Sequence, residues 1–213
     1  MPRTLPSRVF LLSPARLDGE RARLLFRPVT MFPVAAALRS PEGASIGEVF
    51  SFLSGLYFRG KLAYADAFAR PPKGFEGGAF VITTNRGLVP ASTRVTLDDL
   101  ARLAEGSIDR SSQDFHGPLR RDADVLAGAL GPGGAPVLLG SIATAKYVDV
   151  LLSVFDGRLL FPAEFVGRGD MSRGGLMLRC VDERAELTYV PVRGAVRRGM
   201  RPPKLPPRRS SSG

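Results

Sequence analysis

A chain of 213 residues, 44% hydrophobic and 23% charged, can bury one sizeable core and reads as a single globular unit rather than two. One cysteine, Cys180, leaves no intramolecular disulfide and no cysteine-based zinc cluster, and one histidine, His116, removes most metal chemistry and has no nucleophile motif beside it for a Ser-His-Asp triad. The net charge of +10 is concentrated at the end: RGAVRRGMRPPKLPPRRSSSG, from Arg193 on, holds seven Lys and Arg and no acid, so residues 1–192 are nearly balanced.

In chain order, RVFLLSPA (8–15) reads as a buried strand stopped at Ser-Pro. Its apolar part is too short for a signal peptide, and no run reaches the roughly 18–20 apolar residues of a membrane helix. A cytoplasmic protein without membrane contact is expected. DGERARLLFR (18–27) has helical spacing, and turn residues follow around RSPEGAS. Residues 47–69 predict one long helix from the spacing of Phe50, Leu53, Leu56, Tyr57, Tyr64 and Phe68, with Gly55 and Gly60 as its weak points.

AFVITTN (79–85) predicts a strand. TLDDLARLAEG (96–106) predicts a helix capped by Thr96 and closed by Gly106. LRRDADVLAGALG (119–131) predicts another, broken by GPGGAP. A strand at 136–143 and a helix at 144–155 follow, and RLLFPAEFV, LMLRCV and ELTYVPV read as closing strands. The alternation predicts an α/β fold: a mostly parallel central sheet flanked by helices, with an antiparallel C-terminal edge. Residues 1–192 form the domain, and 193–213 read as a basic, Pro-rich tail with too little apolar surface to order itself.

Ligands of such sheets gather beyond the C-terminal ends of the strands. That rule selects Ser13 to Arg16, Thr83 to Gly87, Gly140 to Thr144, and the connector GRGDMSRGG (167–175). Ser141 or Thr144 opens a helix whose free N–H groups, with Lys146, suit a phosphate, or simply caps it. Tyr57 and Tyr64 flank Lys61 at helical spacing and suit base stacking, or are core residues with wet hydroxyls. Asn85 and Arg86 suit a base edge and a phosphate, or are turn residues. Arg168 and Arg173 present donor forks, with Ser172 between them, and Asp170 can orient an arginine or act as a base. The Arg-Gly-Asp triplet is too short to indicate adhesion. The first turn of a βαβ dinucleotide-binding fold is excluded here, because a strand rather than a helix follows the connector.

Four of these motifs, in order, resemble the YaaA family of bacterial peroxide-stress proteins. Their Ile-Ser-Pro-Ala-Lys is LLSPAR here, and their Gly-Leu-x-Pro is within ITTNRGLVP. Their strand running into Leu-Ala-Ser-x-Glu-Tyr-Phe-Lys is LLGSIATAKYVDVL, with Lys146 where the family has an acid. Their Arg-Gly-x-Met-Ser-Arg is intact as Arg168, Gly169, Met171, Ser172 and Arg173. The chain reads as a divergent relative of that family and of related bacterial domains of unknown function. The resemblance implies an α/β body with a positively charged cleft and association with DNA in defence against oxidative damage. It also implies a helix-hairpin-helix, for which ALGPGGAP is the nearest segment. It brings no reaction and no cofactor.

Three readings follow. In the first, Arg16, Arg86, Lys146, Arg168 and Arg173 converge on nucleic-acid phosphates. Ser13, Asn85, Ser141, Thr144 and Ser172 supply hydrogen bonds, and the tail adds affinity without sequence preference. In the second, the same cleft acts on a nucleotide or nucleobase, with Asp170 as general base for glycosidic-bond chemistry. A structural or adaptor role is the third.

Overall fold

The computed structural model describes residues 5–108, 112–143, 145–197 and 199–206. Strand β1 (Arg8–Leu12) explains the architecture: Val9 to Leu12 are all without solvent exposure, as a strand covered on both faces requires. It lies mid-sheet, parallel to β3 (Ala79–Ile82) on one side and β6 (Ala135–Leu139) on the other, in register from Arg8 opposite Ala135 to Leu12 opposite Leu139. Strand β7 (Leu160–Pro162) continues the parallel array beside β6. Two antiparallel strands close the edges, β4 (Leu88–Pro90) on β3 and β8 (Tyr189–Pro191) on β7, giving the order β4-β3-β1-β6-β7-β8. The fold is α/β with a mostly parallel sheet, as expected. The antiparallel edge predicted at the C-terminal side has a counterpart at the other.

Alternate residues of β1 serve opposite layers. Phe10 and Leu12 pack with α3 (Ile46–Ser54), α4 (Leu56–Phe68) and α8 (Asp170–Glu183), together with α1 (Glu20–Phe26), α2 (Pro33–Arg39) and α5 (Leu97–Glu105). Val9 and Leu11 pack with α6 (Gln113–Leu130) and α7 (Ala145–Phe155). A two-residue ribbon, β2 (Ala44–Ser45) with β5 (Arg94–Val95), pins α3 to α5.

The helix predicted at 47–69 is two helices. Gly55 turns the chain at φ +60°, and Arg21 Nη1 donates to the Phe52 carbonyl just before the break. Helix α3 begins with a Ser45–Glu48 capping box. Helix α2 lies where the spacing marked no element.

A further expectation is overturned. LMLRCV is no strand but the middle of α8. Gly174, Met177 and Cys180 recur at three-residue spacing on its buried side, a helical period that the short apolar run conceals. GRGDMSRGG is therefore not a hairpin connector. It is the approach to a helix and its first turns, reached from β7 through a 3-10 turn at Ala163–Phe165. A dinucleotide-binding unit still does not form, because β8 runs antiparallel to β7.

From β1 the chain crosses one face of the sheet to reach β3, and from β6 it crosses the opposite face through α7 to reach β7. Strands β1 and β6 are neighbours whose chains leave in opposite directions. That divergence opens a crevice beyond their C-terminal ends, the topological switch point at which α/β sheets place ligands. No helix among the described residues is long and apolar enough to cross a membrane.

Candidate functional site

A cavity of about 280 Å³ occupies that crevice. Residues Ser13 to Arg16 line it from the end of β1 and Ser141 from the end of β6. Tyr147 of α7, Ser54 and Tyr57 at the α3–α4 junction, and Asp170 at the start of α8 complete the wall. Gly140 sets the closeness of the two strand ends. A Cβ there would stand 2.7 Å from Ser13 Cβ and 3.0 Å from the Tyr147 hydroxyl.

Behind Ser13 lies Lys61, 1% exposed. Its Nζ is 2.8 Å from the Ser13 carbonyl and 2.8 Å from Ser13 Oγ, and it stands 4.0 Å from the centre of the Tyr57 ring. Among the described residues no carboxylate forms an ion pair with it. Burial pulls its amine from the ordinary 10.5 down to about 7; Asp170 works against that shift and Arg173 with it.

The Tyr57 hydroxyl is buried and makes no well-formed hydrogen bond among the described residues, although the Arg173 guanidinium is close enough to act on it. Burial pushes its ionisation well above the usual phenol range. Tyr147 is also raised by burial, and its hydroxyl donates to the Ser141 carbonyl at 2.8 Å. Asp170 stands at the mouth, 67% exposed, with Oδ1 3.5 Å from Arg173 Nη1. Arg173 is turned inward, donating from Nε and Nη2 to the Phe165 carbonyl at 3.2 and 3.0 Å.

The predicted residues do not form one cluster. Ser13, Arg16, Tyr57, Ser141 and Asp170 meet at the cavity, and Arg16 is engaged by Asp18 through two hydrogen bonds of 3.0 and 2.9 Å. Arg86 is bonded to Asp99 at 2.6 Å and Asn85 Nδ2 to the Arg102 carbonyl at 2.7 Å, so both brace α5 beside a separate depression. Asp99 is held down at about 2, first by the Thr96 N–H and then by Arg86. Lys146 is exposed in the first turn of α7 and does not line the cavity. Thr144 lies outside the described residues.

Tyr64 has no face for a base: it is wholly buried, its hydroxyl 2.6 Å from that of Tyr189 and accepting from the Leu187 N–H at 2.8 Å. Tyr57 keeps its hydroxyl at the cavity, but its ring is covered by Lys61 and it is not a stacking platform. The physical reason for the scatter is common to these groups. Each arginine or polar side chain finds a carbonyl or carboxylate within its own neighbourhood, and packing decides what remains open.

Arg168 and Ser172 line a second feature. Arg168 donates to the Glu164 carbonyl at 3.0 Å and to Ser172 Oγ at 3.3 Å. Both residues border a groove of about 470 Å³ whose far side is the tail segment 201–206, and Arg179, Arg201 and Lys204 add charge to it. The groove adjoins the cavity. Leu56 and Gly169 in its wall are the chain neighbours of Tyr57 and Asp170.

Sequence reasoning passed over Tyr147 and treated Lys61 only as a companion of the tyrosines. The available signal was a lysine within the apolar period of α4. No protein family, curated protein or solved structure matches the chain.

Proposed function

We propose that this protein handles nucleic acid or its components, taking a single nucleotide or nucleobase into the switch-point cavity while the adjoining basic groove follows phosphates. The observation that carries the reading is the Tyr57 hydroxyl, buried at the cavity with no well-formed hydrogen bond among the described residues and only the Arg173 guanidinium acting on it. A buried polar group left unpaired is unfavourable, and a ligand edge that meets it removes the penalty. The cavity suits one flat, polar, largely uncharged unit: its wall carries the hydroxyls of Ser13, Ser54, Ser141, Tyr57 and Tyr147. The four cations of the groove suit a phosphate chain. The resemblance to the YaaA family adds the setting, a cytoplasmic DNA-associated protein acting against oxidative damage. Asp170, the carboxylate that lines the cavity among the described residues, supports the second reading, glycosidic-bond chemistry on an extruded base.

Calorimetry with free nucleosides and nucleoside monophosphates tests the cavity. Fluorescence anisotropy on duplex, single-stranded and four-way DNA across a salt series tests the groove. Removing Arg168 and Arg179 together is expected to shallow the salt dependence by close to two ion equivalents, and Tyr57→Phe to weaken nucleoside binding without changing that slope. Absence of nucleoside binding at millimolar concentration, with DNA affinity and its salt dependence unchanged when Arg168 and Arg179 are removed, would overturn the reading.

A further inference from the structure

We propose that Ser13 and Lys61 form a nucleophile and general-base pair that cleaves an acyl bond, an ester or amide, in the switch-point cavity. This goes beyond the nucleotide reading and does not depend on it.

The geometry is that of an activated hydroxyl. Ser13 Oγ lines the cavity, and Lys61 Nζ lies 2.8 Å behind it. The same nitrogen is held by the Ser13 carbonyl at 2.8 Å. At rest Nζ donates to both Ser13 oxygens, and Tyr147 shares the hydroxyl; a neutral amine keeps one N–H on the carbonyl and, once the hydroxyl rotates, turns its lone pair to the Oγ–H. Serine paired with lysine recurs as nucleophile and base on unrelated folds.

The surroundings favour the neutral amine. Phe58 and Tyr57 of its own helix cover Lys61. Of the charged groups that act on it, Asp170 is largely exposed, while Arg173 is turned inward from α8 and adds like charge. From α7, Tyr147 contributes a hydroxyl that burial keeps protonated. Lys61 titrates near 7 as a result, where a base is most effective at neutral pH.

The lining selects an acyl electrophile over a phosphoryl one. A phosphoryl group would meet the Asp170 carboxylate, and Arg16, the cation of the lining among the described residues, is already paired with Asp18. A carbonyl asks only for hydrogen-bond donors as its oxygen becomes negative, and the Tyr57 hydroxyl, which makes no well-formed hydrogen bond among the described residues, is one.

In the first half-reaction Ser13 Oγ bonds to the carbonyl carbon, the C=O π electrons move to oxygen, and the hydroxyl proton passes to Lys61. The C=O re-forms, the bond to the leaving alcohol or amine breaks, and the Lys61 ammonium protonates that group. Water then attacks the acyl-serine and gives its proton to Lys61. The Ser13 ester bond breaks, Oγ recovers the proton, and the acid is released. One water is consumed, and no oxidant or reductant is required.

The test uses the full chain with p-nitrophenyl acetate, stopped-flow detection of the burst, and mass spectrometry of the acylated peptide. A burst of one equivalent is expected, with the acetyl group on Ser13. Its rate is expected to rise with pH to a plateau above about 7. The burst disappears in Ser13→Ala and slows at least about a hundredfold in Lys61→Met. An adduct on another residue, no burst, or an unchanged rate in Lys61→Met overturns the proposal. If Lys61→Met does not fold, the wild-type profile decides, since a rate climbing without a plateau to pH 10 excludes Lys61 as the base. Failure of nucleoside binding leaves all of these outcomes unaffected.

Discussion

Gly60 of α4 and Gly174 of α8 meet backbone to backbone. A Cβ on Gly60 would lie 2.7 Å from the Gly174 carbonyl oxygen, and one on Gly174 would lie 2.6 Å from the Leu56 carbonyl oxygen. The two helices can approach this closely only because neither carries a side chain at the crossing. Tyr57 lies one turn before Gly60, and Asp170 one turn before Gly174, so the same crossing sets the distance across the cavity. Gly60→Ala and Gly174→Ala are each expected to lower stability by about 1–3 kcal/mol through overpacking. The double variant should lose less than the sum, because the first methyl already forces the helices apart. Urea denaturation of the three variants checks this, and unchanged midpoints would show that the crossing is slack.

Tyr57→Phe separates a ligand-binding hydroxyl from a structural one. The hydroxyl makes no well-formed hydrogen bond among the described residues, so its removal is expected to leave the melting temperature unchanged or slightly higher. Nucleoside affinity and the acylation burst should both fall. A clear loss of stability would instead point to an internal role. Tyr64→Phe is the control. It strips the Leu187 N–H of its acceptor and is expected to destabilise by about 1–3 kcal/mol without lowering the acylation burst.

Lys61 makes stability depend on pH in a defined direction. Unfolded, its amine holds a proton up to about 10.5; folded, it releases it near 7. Between those values the unfolded chain binds more protons, so stability rises with pH, by up to about 1.4 kcal/mol per unit. The buried Cys180 thiol, pushed from 9.0 up to about 11, works the opposite way above about pH 9. Chemical denaturation of the wild type and Lys61→Met between pH 7 and 9 isolates the effect. The wild type should gain on the variant across that window, and parallel curves would mean that Lys61 stays charged in the fold.

The inner strands of the sheet were legible in the sequence because they are continuous apolar runs with turn residues after them, whereas β4, read as a turn, was not. RVFLL, AFVI and APVLL needed no context. Helix α8 was not legible. LMLRCV is too short to display a period of 3.6, and only the glycines that fit it against α4 reveal which face is inside. The strand-end rule found Ser13, Ser141 and Asp170, because polar residues beyond buried strands are conspicuous. It also selected Arg86 and Asn85, whose partners Asp99 and Arg102 lie on a helix more than ten residues further on. No local pattern could tell a free arginine from a bonded one. Lys61 was hidden for the opposite reason: a lysine within a helix is ordinarily a solvated residue, and only tertiary packing seals this one away.

The central position of β1 carries a consequence for biosynthesis. Strand β1 leaves the ribosome ahead of both strands that pair with it, and its second edge stays bare until β6 is made. At about 5–20 residues per second, the intervening stretch of roughly 130 residues takes on the order of 10 s to emerge. For that interval Val9 to Leu12, the most completely buried segment of the finished protein, has only β3 to pair with, and the nascent chain offers an apolar strand edge to whatever meets it first.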